Sequence, residues 1–270
     1  MKNLNVTAII QARMSSSRLP GKVLFDLAGR PIIWHIVDRL KQCKNVGDII
    51  VATSNLSSDD SLVKYCKDNQ IKYFRGSLNN VLSRYTDLVN IYKSKYFVRV
   101  TGDCPLISPN YIDNQIRILD LYNADLIWLC KNVNLLEGQA VYSSNLLEKV
   151  KKNSTSKEDL EHVGGVYISN NPEKFRIIGI DPPSKLVELK YRFSVDENAD
   201  YEFMKYIYIN LWDKRPIPLE NVLSFLRNNV RAGSINEKVK DSEINNKVKE
   251  KMGKWEKSIY KFHDWDFCEL

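Results

Sequence analysis

Short apolar, β-branched runs alternate with stretches of helical spacing along the first half of the chain. The strand-like runs lie at residues 6–10, 48–53, 71–77, 96–101 and 124–129. Between them, apolar residues recur three or four positions apart, as at Ile32, Ile36 and Leu40, which is typical of a helix packed on one side. Because strands separated by helices pair in parallel and carry helices on both faces, the alternation predicts an α/β fold with a mostly parallel sheet flanked by helices.

The second half of the chain has a less regular pattern. It predicts strands at residues 140–143, 175–180 and 191–195, and helices at 145–152, from 157 and from 196 to about 211. Beyond Pro218 the pattern is helical, with a Lys- and Glu-rich helix from 236 to about 257. We therefore expect one main domain over residues 1–218 and a C-terminal helical extension over residues 219–270.

Composition excludes several classes of protein. The 270 residues are 43% hydrophobic, enough for a large core. No apolar segment approaches the roughly 18 residues that a membrane span needs, which predicts a cytoplasmic protein without a membrane partner. The five cysteines include no Cys-x-x-Cys pair, so neither a disulfide framework nor a zinc site is indicated. Much of the net charge of +7 lies at residues 237–261, where lysines and aromatic residues form no stacking pattern, and a solvated basic helix explains it better than nucleic-acid binding.

A loop rich in cations and hydroxyl groups follows the first strand-like run. Residues 11–22 contain Arg13, Arg18 and Lys22, together with three consecutive serines and a Pro-Gly turn. Guanidinium, ammonium and hydroxyl groups are donors that hold phosphate oxygens in proteins. A solvated basic turn is the alternative, but ligands of open α/β sheets bind at the carboxyl ends of strands, where this loop lies. The position therefore favours a site for a polyanion of triphosphate size.

Two carboxylates follow later strand-like runs. Asp103 comes after the run at 96–101, and Asp196 comes after the run at 191–195. A carboxylate at the edge that faces the basic loop suits Mg²⁺, which takes one or two carboxylates together with phosphate oxygens. A turn-forming role for Asp103 and a helix-capping role for Asp196 stay open as alternatives. The chain has neither a Walker loop nor a Gly-x-Gly-x-x-Gly fingerprint, so an ATPase and a Rossmann dehydrogenase lose their main support.

Several segments together carry a resemblance to a known family. They lie at residues 11–24, 51–54, 74–77, 81–85 and 99–107. In these segments, and over roughly residues 5–210 as a whole, the chain resembles the cytidylyltransferase family of CMP-sugar synthetases. That family includes the CMP-3-deoxy-octulosonate and CMP-sialic acid synthetases, and the chain is most similar to its spore-coat polysaccharide branch. The resemblance implies a nucleotidyltransferase fold of the glycosyltransferase-A type, which uses CTP and Mg²⁺ and releases pyrophosphate.

The matched positions imply which residues form the site. The residues that the resemblance places around the nucleotide are Gln11, Ala12, Arg13, Ser15, Arg18, Lys22 and Asp103. Among them it implies catalytic roles for Arg13, Lys22 and Asp103, and it implies metal binding by Asp103 and Asp196. In nucleotidyl transfer, the negative charge of the phosphates must be neutralised and the attacking oxygen must lie in line with the bond to the leaving pyrophosphate. The protein itself forms no covalent bond that the reaction requires. A cationic loop facing carboxylates suits that chemistry.

The segment at residues 137–142 departs from the family pattern. Where the spore-coat branch carries an acidic pair after a glycine, this chain has Gln-Ala-Val-Tyr after Gly138, with no carboxylate. His162 is retained, although Gly164 replaces the usual hydroxyl residue two positions later. We predict that the acceptor-binding residues are Arg75, Gln139 and His162. A structural role is the alternative for the arginine and the histidine.

The leading interpretation is a CTP-dependent cytidylyltransferase that transfers CMP to a hydroxyl of an acidic sugar of the nonulosonate or octulosonate kind. The alternatives are CMP transfer to a non-sugar acceptor, a nucleotide-sugar glycosyltransferase of similar fold, and a catalytically weakened nucleotide-binding module. Glycosyltransferases usually carry Asp-x-Asp at the strand end, whereas this chain has Gly102-Asp103-Cys104. The expected partners are CTP and a small-molecule acceptor, with no nucleic acid and no membrane, in a symmetric homodimer.

Overall fold

The computed structural model describes residues 4–154, 156–182, 184–187, 191–239, 248, 250–252 and 261–262. Its strands are β1 (Val6–Gln11), β2 (Asp26–Leu27), β3 (Arg30–Pro31), β4 (Asp48–Ser54), β5 (Lys72–Gly76), β6 (Tyr96–Thr101), β7 (Leu126–Leu129), β8 (Gln139–Ser143), β9 (Ile177–Ile180) and β10 (Lys261–Phe262). Its helices are α1 (Ile32–Leu40), α2 (Asp60–Asp68), α3 (Val81–Tyr92), α4 (Pro109–Tyr122), α5 (Ser144–Asn153), α6 (Lys157–Glu161), α7 (Gly165–Asn170), α8 (Ser184–Val187), α9 (Asn198–Leu211) and α10 (Leu219–Asn228).

The described strands form one large sheet and one small hairpin. The order across the eight-stranded sheet is β10-β9-β7-β8-β6-β1-β4-β5, and the hairpin joins β2 to β3. Strand β8 runs antiparallel to its neighbours β6 and β7, whereas all other neighbours in the large sheet pair in parallel. The prediction of a mostly parallel sheet flanked by helices is confirmed.

Strand β1 lies inside the sheet, and its side chains contribute to the apolar core on both faces. Val6, Ala8 and Ile10 belong to the core that α1, α4 and α9 cover, whereas Ile9 packs on the opposite face with α3 and α5. All four side chains are fully buried. Because successive side chains of a strand point to opposite faces, burial on both faces produces the continuous apolar run seen in the sequence.

Residues 191–195 form no strand, so that prediction is wrong. The segment is irregular, and the backbone N–H of Val195 donates to the carbonyl of Asp103 at 2.8 Å. Phe193 and Val195 are buried in the core. The alternation that resembles a strand therefore comes from side chains packed against the core and not from pairing with another strand.

The C-terminal part of the chain is described only in pieces. Helix α10 begins at Leu219, directly after Pro218. Most of the helix predicted at 236–257 lies outside the described residues, although residues 248 and 250–252 are helical. Strand β10 pairs in parallel with β9 at the edge of the sheet.

The domain division at residue 218 stays a prediction. Within the described part of the chain, no helix has the length and apolar character needed to cross a membrane.

Candidate active site

A buried carboxylate holds the cation-rich loop after β1 in place. Asp59 is fully buried and accepts hydrogen bonds from Met14 N at 2.7 Å, Thr53 Oγ1 at 2.9 Å and Ser54 N at 3.0 Å, and also from the Ser54 hydroxyl. Burial alone raises the pKa of Asp59, but the hydrogen bonds outweigh it and hold the pKa below its usual value. The carboxylate therefore stays charged and ties the loop to the end of β4.

An open cleft of about 420 Å³ lies at the carboxyl ends of β1 and β6. Gly102, directly after β6, lets these two strand ends approach each other. A Cβ atom at this position would lie 2.9 Å from Ala12 Cβ and 3.0 Å from Gln11 O, and the glycine N–H donates to Gln11 O at 2.9 Å. Gln11, Ala12 and Asp103 all line the cleft. A larger residue than glycine would separate the loop from the carboxylate.

Lys22 joins the two predicted metal ligands inside the cleft. Its Nζ atom lies 2.6 Å from Asp103 Oδ2 and 2.8 Å from Asp196 Oδ1, and its side chain is only 8% exposed. Burial lowers the pKa of Lys22, but the two carboxylates raise it by more, so the pKa is above its usual value and the ammonium stays charged. The predicted phosphate-binding and metal-binding groups thus converge on one point.

Asp196 faces the cleft because other residues cap helix α9. Glu197 is the N-cap and forms a capping box with Asp200, so the helix-capping alternative for Asp196 is wrong. Its carboxylate pairs with Arg18 Nη2 at 2.9 Å and with the guanidinium of Arg192. Burial raises the pKa of Asp196, but the surrounding cations outweigh it and hold the pKa below its usual value. Asp196 is therefore an anion surrounded by cations of the cleft.

Arg13 also lines the cleft, and it has a carboxylate partner there. Its Nη2 atom lies 3.3 Å from Glu161 Oε1, in a pair whose side chains are 37% and 38% exposed. Such a half-exposed ion pair contributes little to stability, so a stronger anion can replace the glutamate at low cost. Arg13, Arg18 and Lys22 are thus all at the cleft, as the loop pattern predicts.

Two predicted site residues lie away from the cleft. Ser15 is exposed, and the serines that line the cleft are its neighbours Ser16 and Ser17. Arg75 lies on β5, where its guanidinium donates to two backbone carbonyls at the end of β4 and after it, at 3.0 and 2.7 Å. Arg75 does not line the cleft, in contrast to its predicted acceptor role; instead it fixes the connection between β4 and α2.

The other two predicted acceptor residues lie beside the cleft. His162 lines both the cleft and a neighbouring pocket, and Gln139 lines the neighbouring pocket. Burial, and secondarily the charge of Arg99, lower the pKa of His162 below its usual value. The imidazole is therefore neutral at neutral pH and has a lone pair to accept a hydrogen bond.

Arg84, Arg99 and Arg192 also line the cleft, and the sequence pattern does not single out Arg99 and Arg192 as site residues. Arg84 is 2% exposed and donates to Ala52 O at 2.8 Å, and Arg99 Nε donates to Gln11 Oε1 at 3.2 Å. For Arg99, the available signal in the sequence is its position within the apolar pattern of β6. A cation inside an apolar pattern is seldom buried without a partner.

The two aspartates suit a divalent cation. Their oxygens already converge on one cation, the Lys22 ammonium, and a carboxylate pair completed by phosphate oxygens is a donor set that Mg²⁺ prefers. No group of three or more His, Cys, Asp or Glu side chains comes together among the residues that the structure describes. A metal ion here would therefore take its remaining ligands from the nucleotide or from water.

An open α/β sheet with a cationic loop at the end of β1 and two carboxylates facing that loop suits the binding of a nucleotide together with a divalent cation. Comparison with known proteins identifies the family. The sequence profile of a family described as Cytidylyltransferase matches residues 7–242.

Individual relatives agree with that profile. The spore coat polysaccharide biosynthesis protein SpsF of Bacillus subtilis is 28% identical over 234 residues, which cover 85% of this chain and 97% of the relative. The 3-deoxy-manno-octulosonate cytidylyltransferase of Geobacter sulfurreducens is 30% identical over 159 residues, 52% of this chain and 62% of the relative. Among solved structures, a cytidylyltransferase from Leptospira borgpetersenii superposes with a TM-score of 0.77 at 28% identity, covering 89% of this chain and all of that one.

The chain belongs to the cytidylyltransferase family, and the resemblance seen in the sequence is confirmed. It is a CTP-dependent nucleotidyltransferase.

Proposed function

We propose that this enzyme transfers CMP from CTP to a hydroxyl group of an acidic sugar and releases pyrophosphate. The observation that carries the proposal is the position of Lys22 between Asp103 and Asp196 in a cleft with Arg13 and Arg18. The names of two relatives, which refer to spore coat polysaccharide biosynthesis and to 3-deoxy-manno-octulosonate, support a saccharide acceptor.

The loop cations are proposed to hold the triphosphate of CTP. Arg13, Arg18 and Lys22 each have a carboxylate partner now, and a phosphate oxygen is an equally charged replacement. Because every cation keeps a partner throughout the exchange, binding leaves no buried charge unpaired. Gln11 and Ala12 are proposed to line the nucleotide pocket, and a contact of Ser15 with the phosphates stays a prediction.

Asp103 and Asp196 are proposed to hold Mg²⁺. When bound, such an ion neutralises charge on the phosphates and orients them for displacement by the acceptor oxygen. Lys22 would then find its counter-charge in phosphate oxygens and stabilise the charge that develops on the leaving pyrophosphate. This gives Arg13, Lys22 and Asp103 the catalytic roles, because they act on the reacting phosphates.

His162 and Arg99 are proposed to act on the acceptor side of the same cleft. Both line it, and His162 is neutral at neutral pH. A neutral imidazole can accept a hydrogen bond from the attacking hydroxyl and take up its proton, and a guanidinium suits the carboxylate of an acidic sugar. A homodimer also remains a prediction.

The test is pyrophosphate release from CTP, ATP, GTP and UTP with a panel of acidic sugars, with mass spectrometry of the product. We expect turnover with CTP and Mg²⁺ and a product whose mass equals that of the sugar plus CMP. No release with any sugar, together with no CTP-induced rise in melting temperature, would contradict the proposal. Binding of CTP without turnover on any acceptor would instead support the weakened nucleotide-binding module.

A further inference from the structure

The segment that follows α10 returns to the side of the cleft where Asp196 lies. Residues Val230–Ile235 form a 3-10 helix, and Asn236 comes directly after it. Asn236 is only 2% exposed. Because a buried amide is costly unless its polar atoms are hydrogen-bonded, the contacts of this side chain indicate what its burial achieves.

Asn236 uses its amide nitrogen to join two residues. The Nδ2 atom lies 2.9 Å from the carbonyl oxygen of Arg192 and 3.0 Å from Asp200 Oδ1. A carbonyl and a carboxylate only accept hydrogen bonds, so these contacts identify this atom as the NH₂ group. The amide oxygen is buried and has no hydrogen-bond partner among the described residues. The side chain is therefore oriented by what it donates to.

Asp200 transmits this contact to the backbone of Asp196. Asp200 is 1% exposed, and its Oδ2 atom accepts from the backbone N–H groups of Asp196 and Glu197, both at 3.0 Å. One oxygen of this carboxylate thus faces Asn236, while the other holds the chain at Asp196. Rotation of the carboxylate would break hydrogen bonds on both sides, so Asn236 fixes the orientation in which Asp200 holds the backbone.

Arg192 transmits the same contact to the side chain of Asp196. Its guanidinium pairs with Asp196 Oδ2, and its Nε atom lies 3.4 Å from Asp200 Oδ2. Because Asn236 holds the carbonyl oxygen of Arg192, this arginine is tied at both its backbone and its guanidinium. Asp196 is left with Oδ1 directed at the Lys22 ammonium, 2.8 Å away. That is the oxygen which faces the proposed metal position.

A glycine allows the 3-10 helix to approach this region closely. A Cβ atom at Gly233 would lie 1.9 Å from Cε1 of Tyr191, the residue before Arg192. The ring of Tyr191 in turn packs 5.9 Å, between centroids, from that of Phe203 on α9. The position of Asn236 is therefore set by close packing as well as by its hydrogen bonds.

Another asparagine holds the neighbouring carbonyl without contacting Asp200. Asn134 Nδ2 donates to the carbonyl oxygen of Tyr191 at 3.0 Å, one residue before the carbonyl that Asn236 holds. Its side-chain oxygen accepts from the amide of Asn132. In the described part of the chain, Asn134 thus makes the same kind of contact with this segment but has no hydrogen bond to the carboxylate.

We propose that Asn236 is a positioning residue for the metal ligand Asp196. It acts through Asp200, which holds the backbone of the ligand, and through Arg192, which holds its carboxylate. The inference rests on the proposed binding of Mg²⁺ by Asp103 and Asp196. Partners that orient a metal ligand commonly contribute about 10–100-fold to metal affinity. The segment after α10 therefore contributes to a metal site whose ligands come from earlier in the chain.

The experiment measures metal binding without turnover. Mn²⁺ alone is the probe, and electron paramagnetic resonance measures the free ion as the full chain is titrated. For Asn236→Ala, we expect the Kd for Mn²⁺ to rise about tenfold or more, the range for loss of a partner that orients a ligand. The Kd for CTP, measured without metal in EDTA, should stay within about twofold, because Asn236 is not among the described residues that line the cleft.

Asn134→Ala is the matched control. It removes an amide-to-carbonyl hydrogen bond from the same segment, but it leaves the contacts of Asp200 intact. Both variants should unfold at a lower denaturant concentration, whereas Asn236→Ala alone should weaken Mn²⁺ binding. Equal weakening by the two variants, or unchanged Mn²⁺ binding in folded Asn236→Ala, would overturn the inference.

Asn236→Ser covers the case in which Asn236→Ala does not fold. A hydroxyl group can donate to one of the two oxygens that the amide contacts, so the Kd for Mn²⁺ should rise by a smaller factor, about threefold. Mn²⁺ binding by the folded serine variant that equals binding by the unmodified chain would contradict the role of Asn236.

Asp196→Asn separates this inference from the proposed metal site. We expect it to weaken Mn²⁺ binding more than Asn236→Ala does, because it changes the ligand itself. Unchanged Mn²⁺ binding in folded Asp196→Asn would remove the proposed metal site. Weak binding by Asp196→Asn together with unchanged binding by Asn236→Ala would remove only the role of Asn236.

Discussion

The cleft and the neighbouring pocket are adjacent, yet they satisfy their polar groups in opposite ways. In the cleft, Lys22 and Arg18 are paired with carboxylates of the same chain, so both of these cations have a partner before any ligand binds. In the walls of the pocket, which lies between β7 and β8, the buried NH₂ groups of Gln115 and Gln139 have no hydrogen-bond partner among the described residues. The difference follows from cost, because an unpaired buried charge is far more costly than an unpaired amide. A site for charged phosphates must hold its own counter-charges, whereas the walls of a pocket can leave an amide donor open.

The largest expected effect comes from a variant that disrupts the cleft and leaves the neighbouring pocket unchanged. Lys22→Met removes the ammonium that joins Asp103 and Asp196. We expect kcat/KM for CTP to fall about 10²–10³-fold, as for loss of one donor to developing charge. The KM for the acceptor should stay within about twofold. Steady-state pyrophosphate release measures both quantities, and Lys64→Met, at an exposed lysine, is the control.

The same variant has a readout that does not depend on activity. In the nucleotide-free protein, the Lys22 ammonium competes with Mg²⁺ for the two carboxylates, so its removal should tighten Mg²⁺ binding about threefold or more. Titration calorimetry without nucleotide measures this. Weaker Mg²⁺ binding by a folded Lys22→Met variant would show that the two aspartates are not the metal ligands.

A smaller effect is expected from changing Asp59, the buried carboxylate that holds the cation-rich loop. Asp59→Asn replaces an anion that accepts from Met14, Thr53 and Ser54 by a group that must also donate. We expect the free energy of unfolding to fall by about 1.5–3 kcal/mol, the range for hydrogen bonds to a charged group. The Kd for CTP should rise because the loop is no longer held to β4. Denaturant unfolding and CTP titration check this, and an unchanged Kd would separate the loop from CTP binding.

The smallest expected effect is the contribution of one buried histidine to the pH dependence of folding stability. His35 is 3% exposed, and its Nε2–H donates to Leu27 O at 2.8 Å. Burial, together with smaller effects, lowers the pKa of His35 to about 4. Below its unfolded pKa of about 6.5, the unfolded chain binds a proton that the folded chain does not, so stability falls as the pH decreases from about 6.5 towards 4.

Between pH 7 and pH 5, this histidine should contribute a loss of about 2 kcal/mol in the free energy of unfolding. Urea unfolding at the two pH values measures the loss. His35→Gln keeps a donor for Leu27 and removes the titration, so the pH dependence should become shallower by that amount. If the variant has the same pH dependence as the unmodified chain, His35 is not its source.

The donor half of the site could be predicted from the sequence because it is local. Arg13, Arg18 and Lys22 lie in one loop after a strand whose apolar run is unmistakable, and the structure brings all three to the cleft. The sheet class follows from the same alternation. Local patterns also misled, because Phe193 and Val195 alternate as in a strand while packing on the core without strand pairing.

The acceptor half could not be predicted in the same way because it depends on pairing between distant segments. The pocket exists because β7 and β8 separate, and no local pattern encodes the register that joins Leu126 to Tyr142 alone. The predicted Arg75 and the overlooked Arg99 are both strand arginines, and only the order of strands puts Arg99 at the cleft and Arg75 away from it.

The most direct test of the division between cleft and pocket is a crystal structure of the protein with CTP and Mg²⁺. The account predicts the triphosphate against Arg13, Arg18 and Lys22, the metal ion on Asp103 and Asp196, and the α-phosphate facing the pocket through Arg99 and His162. A triphosphate bound away from the three loop cations, or a nucleotide seated in the pocket between β7 and β8, would contradict it.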